Sequence, residues 1–130
     1  MLSFTRSFAP VWVRGFGDAT DQVGPAHLAV DRAGNVVLAG ALQGTIDAGG
    51  GQLTSLGASD VLVVKLDPAG NHLWSLRLGD AEPQQANAIA LVGATGAAIV
   101  GSLSGAPTFG ATKLTSAGGA DAFAALLATP

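Results

Sequence analysis

Aspartates recur at matched points of the sequence, and carboxylates in such a pattern are candidate calcium ligands. Asp31 and Asp67 each open a segment that ends in Gly-Asn, whereas Asp60 and Asp121 each close a longer recurring segment. A calcium loop needs several oxygen ligands at alternate positions, and the Gly-Asn segments offer only two side chains each. We therefore expect Asp31 and Asp67 to cap turns, and Asp60 and Asp121 to bond backbone amides where the next strand begins.

The two tryptophans, Trp12 and Trp74, hold matching places in the sequence and could stack on sugar rings. A sugar site would also need polar side chains beside each ring, and Arg14 and Arg77 are the only charged neighbours on these segments. A large aromatic side chain at a repeated position supplies much of the packing energy. We expect both tryptophans to anchor packing, and ligand binding at Trp12 and Trp74 is the alternative.

Other chemical patterns are incomplete. Residues 49–51 are three glycines, but the Lys and the Ser or Thr of a phosphate-binding loop do not follow them. His27 and His72 stand far apart in a chain without cysteine, which argues against a metal site. Glu82 is the only glutamate, and no Ser-His-Asp grouping can be placed. The sequence therefore predicts no catalytic residues, no cofactor and no metal.

An internal repeat contains these residues and predicts the elements that position them. The segment LTSLGASD at 53–60 returns as LTSAGGAD at 114–121, and each copy runs into an apolar segment. An offset of 62 residues aligns Trp12 with Trp74, and the offset becomes 61 after a slip that we place in a turn. Matches across a whole period indicate duplication of a supersecondary unit. The structural repeat positions are Trp12, Trp74, Asp31, Gly34, Asn35, Asp67, Gly70, Asn71, Leu53, Thr54, Ser55, Gly57, Asp60, Leu114, Thr115, Ser116, Gly118 and Asp121.

The composition bounds the class of protein. The 130 residues are 48% hydrophobic and 12% charged, which suits one folded domain with a core. The 19 glycines are about double the usual ~7% and indicate many tight turns. The net charge of −3 and the six Lys plus Arg do not form a nucleic-acid-binding face. We expect no membrane insertion and no signal peptide, because no apolar run is long enough for either.

Apolar alternation and turn residues predict an all-β fold. In the first copy we expect four strands, at 11–16, 26–31, 35–41 and 61–66. A loop at 43–52 lies between the third and the fourth of these strands. A Trp-containing strand follows at 72–79, and the second copy repeats the plan with a loop at 103–113.

Two segments of the second copy, 84–92 and 121–128, are rich in residues that favour helices. We nevertheless expect strands there, because the matching segments of the first copy are β-branched and bounded by glycine. In VLVVKL at 61–66 both alternating faces are apolar, so each sheet should be covered on both sides. A radial stack of four-stranded blades satisfies these expectations.

The pattern of a Trp strand, AVDRAGNVVLAG, a Gly-rich loop, LTSLGASD, VLVVKLDPAGN and another Trp resembles the SBBP-type bacterial β-propeller repeat family. The resemblance is specific in the first copy and weaker in the second, which lacks the turn Asp. It implies one propeller blade per period, in large secreted or cell-surface bacterial proteins, with no shared catalytic residues.

The resulting fold prediction is a single repeat domain over 1–130 with two four-stranded antiparallel blades, an incomplete β-propeller. The copies span about 12–73 and 74–130. Two blades are fewer than the roughly four to eight of a closed propeller. Either the chain is part of a longer array of neighbouring blades, or the first Trp strand completes a blade of a second copy in a homo-oligomer.

Two functions remain open at this point. The first is a structural scaffold or protein-interaction module, with its recognition surface on the loops 43–52 and 103–113. The second is a small glycan-binding lectin that forms a ring from two-blade protomers. The partner would be a protein in the first case and a glycan in the second, and the location outside the cell or on its surface follows from the family resemblance.

Overall fold

The computed structural model describes residues 7–20 and 27–128, and every regular element in that part of the chain is a β-strand. The predicted all-β class is therefore confirmed. No helix of the described residues is long and apolar enough to cross a membrane. The strands are β1 (His27–Val30), β2 (Val36–Leu42), β3 (Thr45–Asp47), β4 (Gln52–Thr54), β5 (Asp60–Leu66), β6 (His72–Leu78), β7 (Gln84–Val92), β8 (Gly96–Leu103), β9 (Thr108–Phe109), β10 (Thr112–Lys113) and β11 (Asp121–Ala128).

The first sheet is a four-stranded antiparallel meander in the order β1-β2-β5-β6. Short turns join β1 to β2 and β5 to β6. The connection from β2 to β5 is longer and contains the small hairpin β3–β4. The strands form where the sequence is rich in β-branched and large apolar residues. Because successive side chains of a strand point to opposite faces, apolar side chains line both faces of the sheet.

The second sheet repeats this plan with three strands in the order β7-β8-β11, and the hairpin β9–β10 lies between β8 and β11. The segments for which helix and strand competed, 84–92 and 121–128, are both strands as predicted. Their pairing with β8 outweighs the helix preference of Ala and Leu. Among the described residues the second sheet has no counterpart of β6, so β11 is an edge strand.

The strand registers place the one-residue slip between the copies before His27, and not in the turn where the sequence suggested it. Val30 pairs with Val36, and Leu91 pairs with Ala97, so both residues of the second pair lie 61 positions beyond those of the first. With that offset, each residue of β1, β2 and β5 has a structural equivalent in the second sheet.

The two sheets pack face to face and share one hydrophobic core. The first sheet contributes Val37, Ala39, Val61 and Val63, and the second contributes Ala86, Ile99, Leu103 and Phe123. These are not equivalent residues. Phe123 faces the first sheet, whereas its equivalent Leu62 faces away from the second sheet into a separate cluster. The sheets therefore stack head to tail, each with the same face turned toward the sheet before it.

The far face of the first sheet is the side that points away from the second sheet. It is formed by Leu28, Val30, Leu38, Leu62, Val64 and Leu66. Trp12 and Phe16 pack on its central part. The predicted strand at 11–16 is wrong, since no strand is present among residues 7–20. The segment lies over a sheet face, and a strand needs a neighbouring edge for its backbone hydrogen bonds.

The repeat copies and the sheets are out of phase by one strand. β6 carries Trp74 and pairs with β5, so the first sheet ends at Leu78 and the second begins at Gln84. The copies identified in the sequence divide between residues 73 and 74, near the beginning of β6. The first Trp strand of that scheme, at 11–16, therefore precedes the first sheet and does not open it.

Candidate interaction surface

The turn between β1 and β2 is built around the Asp31 carboxylate. Its Oδ1 accepts hydrogen bonds from the amides of Ala33 and Asn35, both at 2.9 Å, and its Oδ2 accepts one from Asn35 Nδ2 at 2.8 Å. Gly34 takes a φ of 82°, which a residue with a side chain adopts only with strain. The side chains of the first and last residues of the turn, Asp31 and Asn35, therefore bond to each other and hold the turn closed.

The turn between β5 and β6 has the same construction around Asp67. The amides of Ala69 and Asn71 donate to Oδ1 at 2.8 Å, and Asn71 Nδ2 donates to Oδ2 at 3.0 Å. Gly70 has a φ of 80°. The same five-residue pattern thus forms the same turn twice. In each turn, both carboxylate oxygens of the aspartate accept hydrogen bonds from residues of that turn.

These contacts lower the pKa of the turn aspartates. The hydrogen bond from the Asn35 side chain is the largest influence on Asp31 and, with the Asn35 amide and Lys65, holds its pKa at about 2 against the opposing effect of burial. Lys65 Nζ lies 3.1 Å from Asp31 Oδ2. The side chain and amide of Asn71 likewise lower the pKa of Asp67. Both carboxylates are therefore ionised at neutral pH.

Asp60 is fully buried where β5 begins. Its Oδ2 accepts hydrogen bonds from the Leu56 amide at 2.9 Å and from Arg77 Nη1 at 2.7 Å, whereas its Oδ1 has no partner in the structure. At the equivalent place in the second copy, Asp121 Oδ2 accepts the Ala117 amide at 2.5 Å. Each aspartate closes the loop that leads into its strand, which ties the LTS segment to the sheet.

A third pair of aspartates, which the sequence analysis did not name as site residues, fixes the long connections. Asp18 Oδ2 accepts the Thr45 amide at 2.8 Å, and Asp80 Oδ2 accepts the Ala106 amide at 2.9 Å. The two bonds are equivalent in the repeat. The signal was present in the sequence as Gly-Asp-Ala, which occurs at 17–19 and again at 79–81.

Gln84 extends this arrangement into the core. Its side chain is almost fully buried, with Nε2 donating to Asp80 Oδ1 at 2.6 Å and to the Ser104 carbonyl at 2.9 Å. Burial by itself would raise the pKa of Asp80, but hydrogen bonds from the amides of Glu82 and Ala106 and from Gln84 together lower it. The Gln therefore satisfies a buried polar group instead of facing a ligand.

The LTS segments close the two long connections in the same way. The Ser55 amide donates to the Gly44 carbonyl at 2.9 Å, and the Ser116 amide donates to the Gly105 carbonyl at 2.9 Å. The segments predicted as loops at 43–52 and 103–113 each contain strands of a short antiparallel hairpin. Both hairpins leave their sheets at equivalent points and present variable sequences.

The two tryptophans lie in packing contacts. Trp12 is half-buried, its Nε1 donates to the Pro68 carbonyl at 3.0 Å, and a Cβ built on Gly70 would lie 2.8 Å from its ring. Trp74 is also half-buried and packs against the core shared by the sheets. Each indole therefore gives part of its surface to protein contacts.

Two open clefts lie on the surface, each next to one or two of the turns and hairpins described above. One, of about 580 Å³, separates the β1–β2 turn from the β7–β8 turn, and its lining includes Asp31, Arg32 and Leu91. The other, of about 640 Å³, lies between residues 14–16 and the β3–β4 hairpin and is lined by charged as well as apolar groups. No group of three His, Cys, Asp or Glu residues in the described part of the chain could hold a metal ion.

No protein-family model matches the sequence, and no curated protein is significantly similar to it. The recurring polar residues hold turns and connections in place, and the surfaces that remain open are the two hairpins, the two clefts and the outward sheet faces.

Proposed function

We propose that this chain is a non-enzymatic β-propeller-type repeat module that serves as a structural scaffold and protein-interaction surface. One observation carries the proposal: the two sheets of the repeat stack head to tail, with the far-side residue Leu62 of the first replaced by the core residue Phe123 of the second. A stack in which every sheet turns the same face toward its predecessor is the arrangement of blades in a propeller.

The use of the polar residues supports a scaffold. The side chains of Asp31 and Asp67, of Asp60 and Asp121, and of Asp18 and Asp80 accept matched backbone hydrogen bonds. In each of these aspartates at least one carboxylate oxygen accepts a backbone amide of a turn or loop, which is the use expected of a structural residue. The repeated chemistry is thus directed at the backbone.

The interaction surface is proposed on the hairpins β3–β4 and β9–β10. Binding residues are found disproportionately on loops that a rigid scaffold positions, and the Ser55 and Ser116 amides anchor these hairpins at equivalent points. Their sequences differ between the two copies, with Asp47 in one hairpin and Lys113 in the other. The resemblance to exported bacterial repeats supports a location at the cell surface or outside the cell.

The lectin alternative depends on the tryptophan rings. A sugar needs an open ring face with polar groups beside it, whereas the Trp12 ring lies against Gly70 and bonds to Pro68 through Nε1. Trp74 contributes to the core between the sheets. These contacts favour a packing role for both residues and hence the scaffold.

A chain extended by a fourth strand tests the blade architecture. Residues 70–80 are copied after residue 130, which places a second β6 sequence where the repeat offset requires it. If the second sheet is a blade with an open position, the added strand pairs with β11, raises the Tm by roughly 5 °C or more, and protects β11 amides from hydrogen exchange. A scrambled copy of the same residues is the control. Equal Tm and exchange in both extended chains would refute the blade proposal.

A further inference from the structure

The far face of the first sheet is partly bare. Leu28 and Val30 on β1 are 64% and 55% exposed. Their equivalents in the second sheet, Ile89 and Leu91, are half-buried and pack against the shared core. The difference has a simple cause: the first sheet covers Ile89 and Leu91, whereas Trp12, Phe16 and Ala48 pack on the far face beside Val64 and Leu66 and leave Leu28 and Val30 exposed.

The outer face of the second sheet is the side turned away from the first sheet. Like the far face, it has exposed apolar side chains, and it is the repeat equivalent of the face that is covered in the first sheet. It is formed by Val92, Ala98, Val100, Ala122, Ala124 and Leu126. Val100 is 46% exposed, and its equivalent in the first sheet, Ala39, is only 2% exposed. Leu126 is 69% exposed. The outer face thus lacks the neighbour that covers the equivalent face of the first sheet.

The free edge of β11 matches a segment elsewhere in the chain. Its equivalent β5 pairs with β6 along that edge. Residues 11–16 align with β6 through Trp12 and Trp74, and they have no strand partner among the described residues. After this segment, Asp18 accepts the Thr45 amide, just as Asp80 accepts the Ala106 amide after β6. The segment therefore sits on the far face where a β6 of a preceding sheet would lie.

We propose that a second copy of this chain joins these surfaces, with the outer face of one molecule packed on the far face of the next. Residues 11–16 of the second molecule then pair with the free edge of β11. The occupant is inferred from the molecule itself, because the interface between its two sheets already joins the repeat equivalents of these two faces. This inference rests on the proposed scaffold role and names its partner.

The registers within the molecule specify the contact between molecules. Val64 pairs with Ser75 in the first sheet. With the repeat offsets, the equivalent pair is Ala125 of one molecule and Val13 of the next. Addition of a strand gives backbone hydrogen bonds along the whole edge, and the packed apolar faces add the hydrophobic contribution. A head-to-tail contact of this type is heterologous, because it joins two different surfaces of the chain. Each molecule inside the assembly therefore has two interfaces, and only the molecules at an open end have one.

Because the chain has no cysteine, a designed disulfide reports the register directly. The Val13→Cys/Ala125→Cys variant should form covalent oligomers under mild oxidation, because directly opposite residues of antiparallel strands bring their Cβ atoms within disulfide range. The control is Phe8→Cys/Ala125→Cys, in which the first thiol replaces a side chain that is 92% exposed. It should cross-link at least tenfold more slowly. Equal rates for the two variants would overturn the proposed register.

Light scattering gives the second measurement. The wild-type chain should have a mass of at least twice 12.7 kDa. Leu126→Asp should reduce the mass to one chain with an unchanged circular dichroism spectrum, whereas Leu56→Asp, which replaces a loop leucine that is 60% exposed, should keep the assembly. A wild-type monomer up to about 100 µM would overturn the self-association. If the strand-extended chain were still stabilised in that case, the scaffold proposal would survive and only the partner would be wrong.

Discussion

Arg77 Nη1 lies 2.7 Å from Asp60 Oδ2, and the Asp60 side chain is fully buried while Arg77 remains partly accessible. The same carboxylate oxygen accepts the Leu56 amide, so a single group connects β6, β5 and the loop that precedes β5. In the described part of the second copy, Asp121 accepts the matching amide of Ala117 without an ion pair. The two copies therefore provide the same position with and without a cation.

The first prediction compares Asp60→Ala with Asp121→Ala. Asp60→Ala leaves the Arg77 charge and the Leu56 amide without their partner, and breaking a buried pair costs roughly 3–5 kcal/mol. Asp121→Ala removes one hydrogen bond to a more accessible carboxylate and should cost about 1–2 kcal/mol. Urea denaturation measures both free energies of unfolding. Equal losses, or an Asp60→Ala variant of unchanged stability that fails only in binding, would contradict the structural role.

The second prediction concerns the glycines of the two matched turns. Gly34→Ala and Gly70→Ala both force a side chain into a positive φ, which costs roughly 1–2 kcal/mol. A Cβ on Gly34 would lie 3.3 Å from Pro68 Cγ and 3.7 Å from Pro68 Cβ, whereas a Cβ on Gly70 would lie 2.8 Å from the Trp12 ring. Gly70→Ala should therefore lose more stability and also expose Trp12.

Fluorescence separates the two glycine variants. In a Trp74→Phe background the emission comes from Trp12 alone, because the chain has two tryptophans. The emission should shift to longer wavelength in Gly70→Ala and stay unchanged in Gly34→Ala. A shift of the same size in both would show that the turn strain, and not the contact with the ring, displaces Trp12.

The turns illustrate what the sequence could predict. A turn of the form Asp-x-Ala-Gly-Asn is a local structure, since the Asp and Asn side chains bond amides within the same five residues. The repeat then supplies the order of the strands, and the apolar character of both faces predicts that each sheet is covered twice. The all-β fold and most of the strands follow from these local patterns.

Residues 11–16 illustrate what the sequence could not predict. Their alignment with β6 predicts a strand, but a strand exists only where another edge is within reach. The segment lies on the far face of the first sheet, where Trp12 and Phe16 pack against the cluster of Ala48, Val64 and Leu66, which is distant in the chain. Gln84 was missed as a site residue for the same reason, because its partner Ser104 belongs to another connection.

The third prediction concerns acid stability. The pKa of Asp31 is about 2 in the folded protein, against about 3.9 for an unfolded aspartate. A folded pKa below the unfolded value gives stabilisation that is complete above about pH 4 and is lost as the pH falls toward 2. The Tm of the wild type should therefore fall in this range.

Two variants assign this acid transition. Asp31→Asn cannot ionise, so its Tm should fall less steeply between pH 4 and 2, with the remaining slope due to groups such as Asp67, whose pKa is also lowered. Asn35→Ala removes the largest cause of the low pKa and should move the loss of stability to higher pH. Identical profiles for wild type and Asp31→Asn would show that Asp31 does not contribute.

The last prediction distinguishes packing from sugar binding at the tryptophans. Trp12→Phe removes the hydrogen bond to Pro68 and part of the contact with the far face, so it should lower the free energy of unfolding by roughly 1–2 kcal/mol. Trp74→Phe alters the core between the two sheets and should cost at least as much. Titration with simple sugars should leave the emission of the wild type unchanged, because the rings are engaged with protein. Saturable quenching that disappears in Trp12→Phe, in a variant that melts like the wild type, would instead establish Trp12 as a ligand-binding residue and favour the lectin.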